Sequence, residues 1–394
     1  MRALVIASIV VVIFSLVGCA KPTASLPTLA LVNGTLIDGR GADPVKDAVV
    51  VVQGKTILAA GPRASVKIPP GAQVIDVKGG TILPGFFNAH VHGAYNEQNL
   101  KTWASQGVTT VRDLGTSKDY APRFAFRNAH RDQPEYARLV AAGPMITVPD
   151  GYPIVPWGVS SLTVTTVDEA RHTASQLLAD GADVIKIPLE SGPDFGRRLP
   201  VLTPEEAAAI VEVAHQRGTR VSAHVTVAVD LERALQAGVD DIAHMVVDPP
   251  SAQVIQRIVK AGIYWVPTIE LWKRVGQGQD AHILENLRLF VEAGGKVALG
   301  TDYDGYDAVF DLGMPIHEIL WMQEAGLTPM EIIVAGTRSA AYVCNLEKVL
   351  GTLEPGKIAD ILVVNGDPLA DLNALTKVQL VIHSGEVIVN GSGE

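Results

Sequence analysis

A chain of 394 residues, 47% hydrophobic and 19% charged, has material for a large buried core and exceeds what one small domain needs. Its formal net charge of −10 gives no basic surface of the kind that neutralises phosphate, so no nucleic-acid partner is expected.

Reading from the N-terminus, Arg2 precedes ALVIASIVVVIFSLVG, an apolar segment shorter than the ~20 residues of a spanning helix. It stops at Leu16-Val17-Gly18-Cys19, which resembles a bacterial lipobox. Residues 1–18 are therefore read as a lipoprotein signal peptide, excluded from the fold, and Cys19 as the lipidated first residue of the mature chain. An uncleaved anchor is the alternative. Ala20, where an aspartate would favour the inner membrane, points to attachment at the outer membrane facing the periplasm, through a tether of residues 19–27. With Cys19 so used, Cys344 has no partner for an intramolecular disulfide. In the apolar stretch SAAYVCNLEKVL it reads as core.

Residues 28–83 hold short strand patterns broken by the turn signals Asn33-Gly34, Asp38-Gly39 and Gln53-Gly54. Residues 345–394 add KIADILVV, VQLVIHS and EVIVNG. Neither segment can bury a core alone, so the two are expected to form one discontinuous β-sandwich. His383 falls there and, with His130, His172, His215 and His282, is expected to take no part in catalysis.

Residues 84–344 carry eight Val- and Ile-rich runs, ending near residues 92, 115, 146, 187, 225, 246, 269 and 304. Amphipathic stretches such as VDEARHTASQLLADG, TPEEAAAIVEVAHQRG and VDLERALQAG separate them. TPEE reads as a helix start and the closing glycines as helix stops. Eight such alternations in roughly 250 residues predict an α/β fold, the (β/α)8 TIM barrel. A doubly wound sheet is the alternative, but it would gather its site at one switch point.

Six side chains fall where these strands run out: His90 and His92 in ILPGFFNAHVH, Lys186 in ADVIKI, His224 in RVSAHV, His244 in DDIAHM and Asp302 in VALGTD. A parallel barrel presents its catalytic residues at that rim. Strand alternation puts His90 and His92 on one face, and turns Val184 and Lys186 inward while Ile185 and Ile187 face the helices. A lysine inside a barrel wall is costly unless paired.

These motifs resemble the amidohydrolase superfamily over nearly all of the mature chain. GGTILPGFFNAHVHG is similar to its first barrel strand, GVTTVRDLG to its second, GADVIKI to its fourth and VALGTD to its eighth. GTLEPGKIADILVVNGDPL resembles the return to its β-domain, and the match favours imidazolonepropionase-like and prolidase-like hydrolases. The resemblance implies two divalent metal ions, with zinc expected from imidazole and carboxylate ligands. His90, His92 and Asp302 would hold one, His224 and His244 the other, and a carboxylated Lys186 would bridge them. A hydroxide between the ions would attack a carbonyl, with Asp302 as proton shuttle. Deaminase members carry a glutamate three residues past the strand-five histidine; Val227 stands there, so deamination is not expected.

The substrate-binding pattern departs from the prolidase-like one. PDGYP, with Tyr152, replaces a Gly-Gly-His-Gly loop, Thr226 replaces a tyrosine, and PLESGPDFGRRLP replaces a glycine-rich stretch. Tyr95, Tyr152, Trp157, Tyr303 and Tyr306 lie in loops after strands and favour a small-molecule substrate with an apolar or aromatic part. Trp103 and Trp272 read as packing residues. Arg197 and Arg198 offer a carboxylate clamp, with a solvated pair as the alternative. The activity expected is hydrolysis of C–N amide bonds in small substrates such as dipeptides or N-acyl amino acids. A cyclic-amide, lactone or ester hydrolase on the same site is the second reading. A non-catalytic envelope lipoprotein is the reading of another class, and the complete ligand set argues against it.

Overall fold

The computed structural model describes residues 26–275, 281–304 and 310–391. The leader, Cys19 and Tyr306 lie outside them. Five strands precede the barrel: β1 (Thr28–Leu36), β2 (Val45–Gln53), β3 (Thr56–Pro62), β4 (Gln73–Asp76) and β5 (Thr81–Pro84). The barrel region holds β6 (Phe86–Val91), β7 (Val108–Asp113), β8 (Arg138–Ala141), β9 (Ile146–Thr147), β10 (Leu162–Thr163), β11 (Ile185–Pro188), β12 (Val221–His224), β13 (Asp241–Ala243), β14 (Tyr264–Val266) and β15 (Lys296–Val297). Three more close the chain: β16 (Ile361–Val364), β17 (Val378–His383) and β18 (Glu386–Asn390).

Eight of these strands form the barrel, in two parallel arcs, β6-β7-β8 and β11-β12-β13-β14-β15. Backbone hydrogen bonds join the arcs: Asp183 N–H donates to Ala141 O at 2.9 Å, and Ala89 N–H to Leu299 O at 2.8 Å. All eight expected runs contribute a strand. Two of them stop early. The third breaks at Gly143, whose φ is 73°, and Pro144, so Ile146 starts the separate short pair β9-β10. The eighth ends at Val297, five residues short of Asp302.

Alternation sorts the two layers. Phe87, Ala89, Leu114, Val140, Val184, Val266 and Ala298 pack inside the barrel. Ile185, Ile187, Val221, Ala223, Ile242 and Val297 pack with Leu177, Ile210, Leu231, Ile258 and Leu287 of the surrounding helices. The helices start and stop as their sequences direct. Thr203 and Glu206 form a reciprocal capping box at Pro204–Gln216, and Gly238 ends Leu231–Ala237 at φ 73°. Within the barrel, buried Arg112 binds both oxygens of Asp241 at 2.8 and 2.9 Å and donates to the Ala89 and Val343 carbonyls.

The two chain ends meet in one eight-stranded sheet, ordered β18-β17-β16-β5-β1-β2-β3, with β4 beside β1. Strand β5 is the junction, parallel to β1 and antiparallel to β16. One apolar cluster draws Leu31, Val50, Ile57, Ile75, Ile82, Ile361 and Leu380 from seven strands, which makes the unit a composite sandwich. It meets the barrel at a polar seam. Arg138 of β8 pairs with Asp360 at 2.7 Å, Asp360 accepts Ser384 N–H at 2.8 Å, and His383 Nδ1 lies 2.7 Å from Pro134 O. His383 is thus a seam residue, remote from the barrel rim. Cys344 is buried in the core.

Candidate metal centre

The end of β6 sets the first half of the site. Its register against β7 is irregular between Asn88 and Val91, a device that re-aims side chains beside functional sites. Phe87 and Ala89 fill the interior, yet His90 and His92 still reach a common point: their Nε2 atoms lie 3.0 and 3.1 Å from Asp302 Oδ1. Asp302 is held there by its own N–H, which donates to His90 O at 2.9 Å. Gly300 permits this approach, since a Cβ on it would lie 2.5 Å from Val266 Cγ1 and 2.8 Å from His90 N. His90, His92 and Asp302 place one donor atom each within 4.8 Å of the others.

The second half comes from β11, β12 and β13. The His224 and His244 rings lie 4.5 Å apart, and His244 is 4.9 Å from His90. His244 Nδ1 bonds the Thr268 hydroxyl at 2.9 Å, and His92 Nδ1 faces Gly115 O at 3.3 Å. Each ring thereby turns Nε2 to the centre, the usual task of a ligand's outer partner. Lys186 is 0% exposed, on the inward face with Val184.

Apart from the contacts of His90 and His92 with Asp302 Oδ1, the donor atoms have few protein partners for their depth. Lys186 Nζ, His224 Nε2, His90 Nε2 and Asp302 Oδ1 are all buried with no well-directed hydrogen bond, which buried polar groups rarely tolerate. Metal ions would satisfy this set, so the residues fit the cations that the sequence implies. The His90, His224 and His244 imidazoles are held neutral, as a ligand must be. Burial pushes His90 down to about 3, against the pull of Asp302, and holds His224 and His244 well below the usual imidazole range. Burial also works against charge on His92 and Asp302, but their mutual attraction wins: His92 rises to about 9 and Asp302 falls well below the carboxylate range.

Two acids missing from the sequence-level site belong to its surroundings. Glu190, just past β11, is buried with Oε2 3.9 Å from His224 Nε2; it accepts the Thr226 hydroxyl and, at 2.7 Å, Gly192 N–H. Its position in PLESG, beside Thr226 two residues past His224, was the available signal. Asp113, at the end of β7, accepts Ala94 and Gly115 N–H groups, and burial pushes it up to about 6 although His92 pulls the other way.

Of the expected substrate residues, Tyr152 is at the centre, its ring stacked 4.0 Å from that of His224. Trp157, 63% exposed, stands edge-on to Phe195, which also faces Tyr152. Arg197 and Arg198 are exposed on the Phe195 loop and form no ion pair among the described residues. Tyr303 departs from expectation: its ring packs on Trp103 at 5.2 Å and Phe310 at 6.3 Å, filling core rather than facing the histidines. Tyr95 likewise turns toward Phe126. Trp103 and Trp272 are buried packing residues.

A (β/α)8 barrel with four histidines, a lysine and an aspartate converging inside its rim defines a metal-dependent hydrolase. The chain matches the Amidohydrolase family over residues 81–388 and belongs to it. It is similar to the ochratoxinase of Aspergillus niger, 24% identical over 91% of this chain and 86% of that one. It is also similar to the imidazolonepropionase of Haloarcula marismortui, 25% identical over 85% and 87%. Among solved structures, a Xaa-Pro dipeptidase with bound methionine in its active site superposes with a TM-score of 0.78 at 26% identity, over 91% of this chain and 99% of that one.

Proposed function

We propose that this protein hydrolyses C–N bonds of small amides, such as dipeptides or N-acyl amino acids, at a centre of two zinc ions. The observation that carries the proposal is the convergence of buried donor atoms from His90, Lys186, His224 and Asp302 that lack well-directed hydrogen bonds. When bound, the cations polarise a carbonyl and acidify water. Asp302, kept ionised by His90 and His92, takes the proton of the attacking water and returns it to the leaving nitrogen.

His224 and His244 alone give the second cation two donors. Lys186 supplies more if carboxylated. Burial, with Arg112 adding to it and Asp241 opposing, lowers its ammonium to about 7, so the neutral amine is accessible. That nitrogen adds to carbon dioxide, releases one proton and becomes a carbamate whose oxygens can span two ions. Tyr152 and Phe195, with Trp157 outside them, form an aromatic wall suited to an apolar or aromatic substrate group. Arg197 and Arg198, exposed beside it, suit a carboxylate on that substrate.

The test is a comparison of kcat/KM across matched amides, lactams, lactones and esters, before and after chelation. Amides should lead and chelation should abolish turnover. A lead for lactams or lactones would replace the proposal with a cyclic-amide or lactone hydrolase, and inactivity with the centre metallated would support a non-catalytic role. Lys186→Ala should lose most activity and recover part of it with short carboxylic acids. Full activity in that variant would remove the bridge from the proposal.

We further propose attachment to the outer membrane, facing the periplasm, through lipidated Cys19, on the lipobox-like sequence alone. The full chain should fractionate with membranes, and Cys19→Ser should block lipidation. A wild-type protein recovered without lipid would overturn this.

A further inference from the structure

A second set of ligating side chains lies apart from the centre. Glu270, in the helix Ile269–Val275 after β14, meets Asp311 and His317 from the segment after β15, each with a donor atom within 4.8 Å of the other two. Glu270 is 0% exposed. Its Oε1 accepts Asp311 N–H at 2.9 Å and lies 3.7 Å from Arg274 Nε, while its Oε2 is buried without a hydrogen-bond partner. Both Asp311 oxygens lie 2.9 Å from His317 Nδ1. Glu318, equally buried, stands behind them, and its oxygens accept the N–H groups of Ile269 and Glu270 at 2.9 and 2.6 Å.

This arrangement gathers three carboxyl groups beside the guanidinium of Arg274, with one buried oxygen bare. Burying such a group requires a proton or a cation. A divalent cation would coordinate the bare oxygen and take the place of the proton that burial otherwise holds on Glu270. One imidazole and two carboxylates are a ligand set that zinc and manganese accept. The His317 side chain is 48% exposed, so water can complete the coordination from that side.

We propose that Glu270, Asp311 and His317 bind a third divalent cation, of the zinc or manganese class, which ties residues 311–317 to the helix after β14. Its role is structural, since none of the three residues touches the centre at the barrel rim. The proposal does not depend on the hydrolytic reading.

The experiment uses the full chain with the rim centre disabled by His90→Ala and His224→Ala, stripped of metal and reloaded with Mn2+ or Zn2+ alone. That protein should retain one equivalent of Mn2+ visible by electron paramagnetic resonance, and its Tm should rise on addition of either ion. Adding Glu270→Gln should remove both effects while circular dichroism stays unchanged. If Glu270→Gln perturbs folding, His317→Ala, at a half-exposed position, should give the same losses. Equal metal content and equal Tm response with and without these substitutions would overturn the proposal.

Discussion

Asp302 and His244 show what single residues contribute beyond their chemistry. Both adopt left-handed backbone angles, φ 63° and 74°, a conformation that costs on the order of 1–3 kcal/mol for residues other than glycine. The surrounding hydrogen bonds hold them there, and Asp302 is thereby presented to His90 and His92. Asp302→Asn keeps the shape and tolerates the angle but cannot carry a proton. Its kcat at neutral pH should fall by roughly 10²–10⁴ through loss of general-base function alone, and further through the weakened ligand. Turnover near the wild-type value would assign the shuttle elsewhere, with Asp304 the nearest acid in sequence. The gathering of His90, His92, Lys186, His224, His244 and Asp302 at one rim was legible because each lies in or at the end of a strand-like run and the run is itself a signal. Asp113 was not, because a lone acid at a strand end reads the same whether it is buried or solvated, and Glu190 was marked only by its place in PLESG. Tyr303 misled for a related reason: a loop position says where a side chain starts and not which way its ring turns.

At the level of elements, the strands were countable from the sequence but their ends were not. Val297 to Thr301 is continuously apolar or small, so nothing in the residues marks where pairing stops; Gly300 instead fits a gap bounded by Val266 and His90, a constraint set by distant strands. The irregularity in β6 is equally invisible, because it is a matter of register against β7, which the β6 residues alone do not specify. Arg112 and Asp241 tie β7 to β13 inside the barrel with both side chains fully buried. Arg112→Met leaves Asp241 buried and unpaired, so it should destabilise the protein by about 3–5 kcal/mol. The double variant Arg112→Met, Asp241→Leu should recover much of that loss. Urea denaturation measures both, and a loss under about 1 kcal/mol in the single variant would show that water or Ser222 suffices for Asp241.

For the whole molecule, the discontinuous small domain was foreseeable because neither end had enough apolar strands to close a core. The seam was not, since Arg138, Asp360 and His383 are far apart in sequence and individually unremarkable. Burial, aided by Arg138 and opposed by Asp360, lowers the His383 imidazole below its ordinary 6.5. Such a group contributes stability that is complete above 6.5 and fades as pH falls toward its folded value. Asp360 acts in the same sense: burial opposes its charge, Arg138 and His383 outweigh burial, and its lowered carboxyl loses its contribution only below the ordinary 3.8. The Tm should therefore decline from about pH 6.5 downward, in two stages, and His383→Gln should lessen the first, to which the lowered His90, His224 and His244 also contribute. An unchanged slope between pH 6.5 and 4 in that variant would place the sensitivity elsewhere. The position of β5 between β1 and β16 has a consequence for biosynthesis. Thr81–Pro84 leaves the ribosome with one partner made and the other, Ile361–Val364, a whole barrel away. At ~5–20 residues per second, that wait is on the order of tens of seconds. Throughout it the newborn chain carries an apolar strand with an open edge, an invitation to pair with other nascent chains. Messages truncated within the barrel should thus yield aggregates rather than short soluble enzymes.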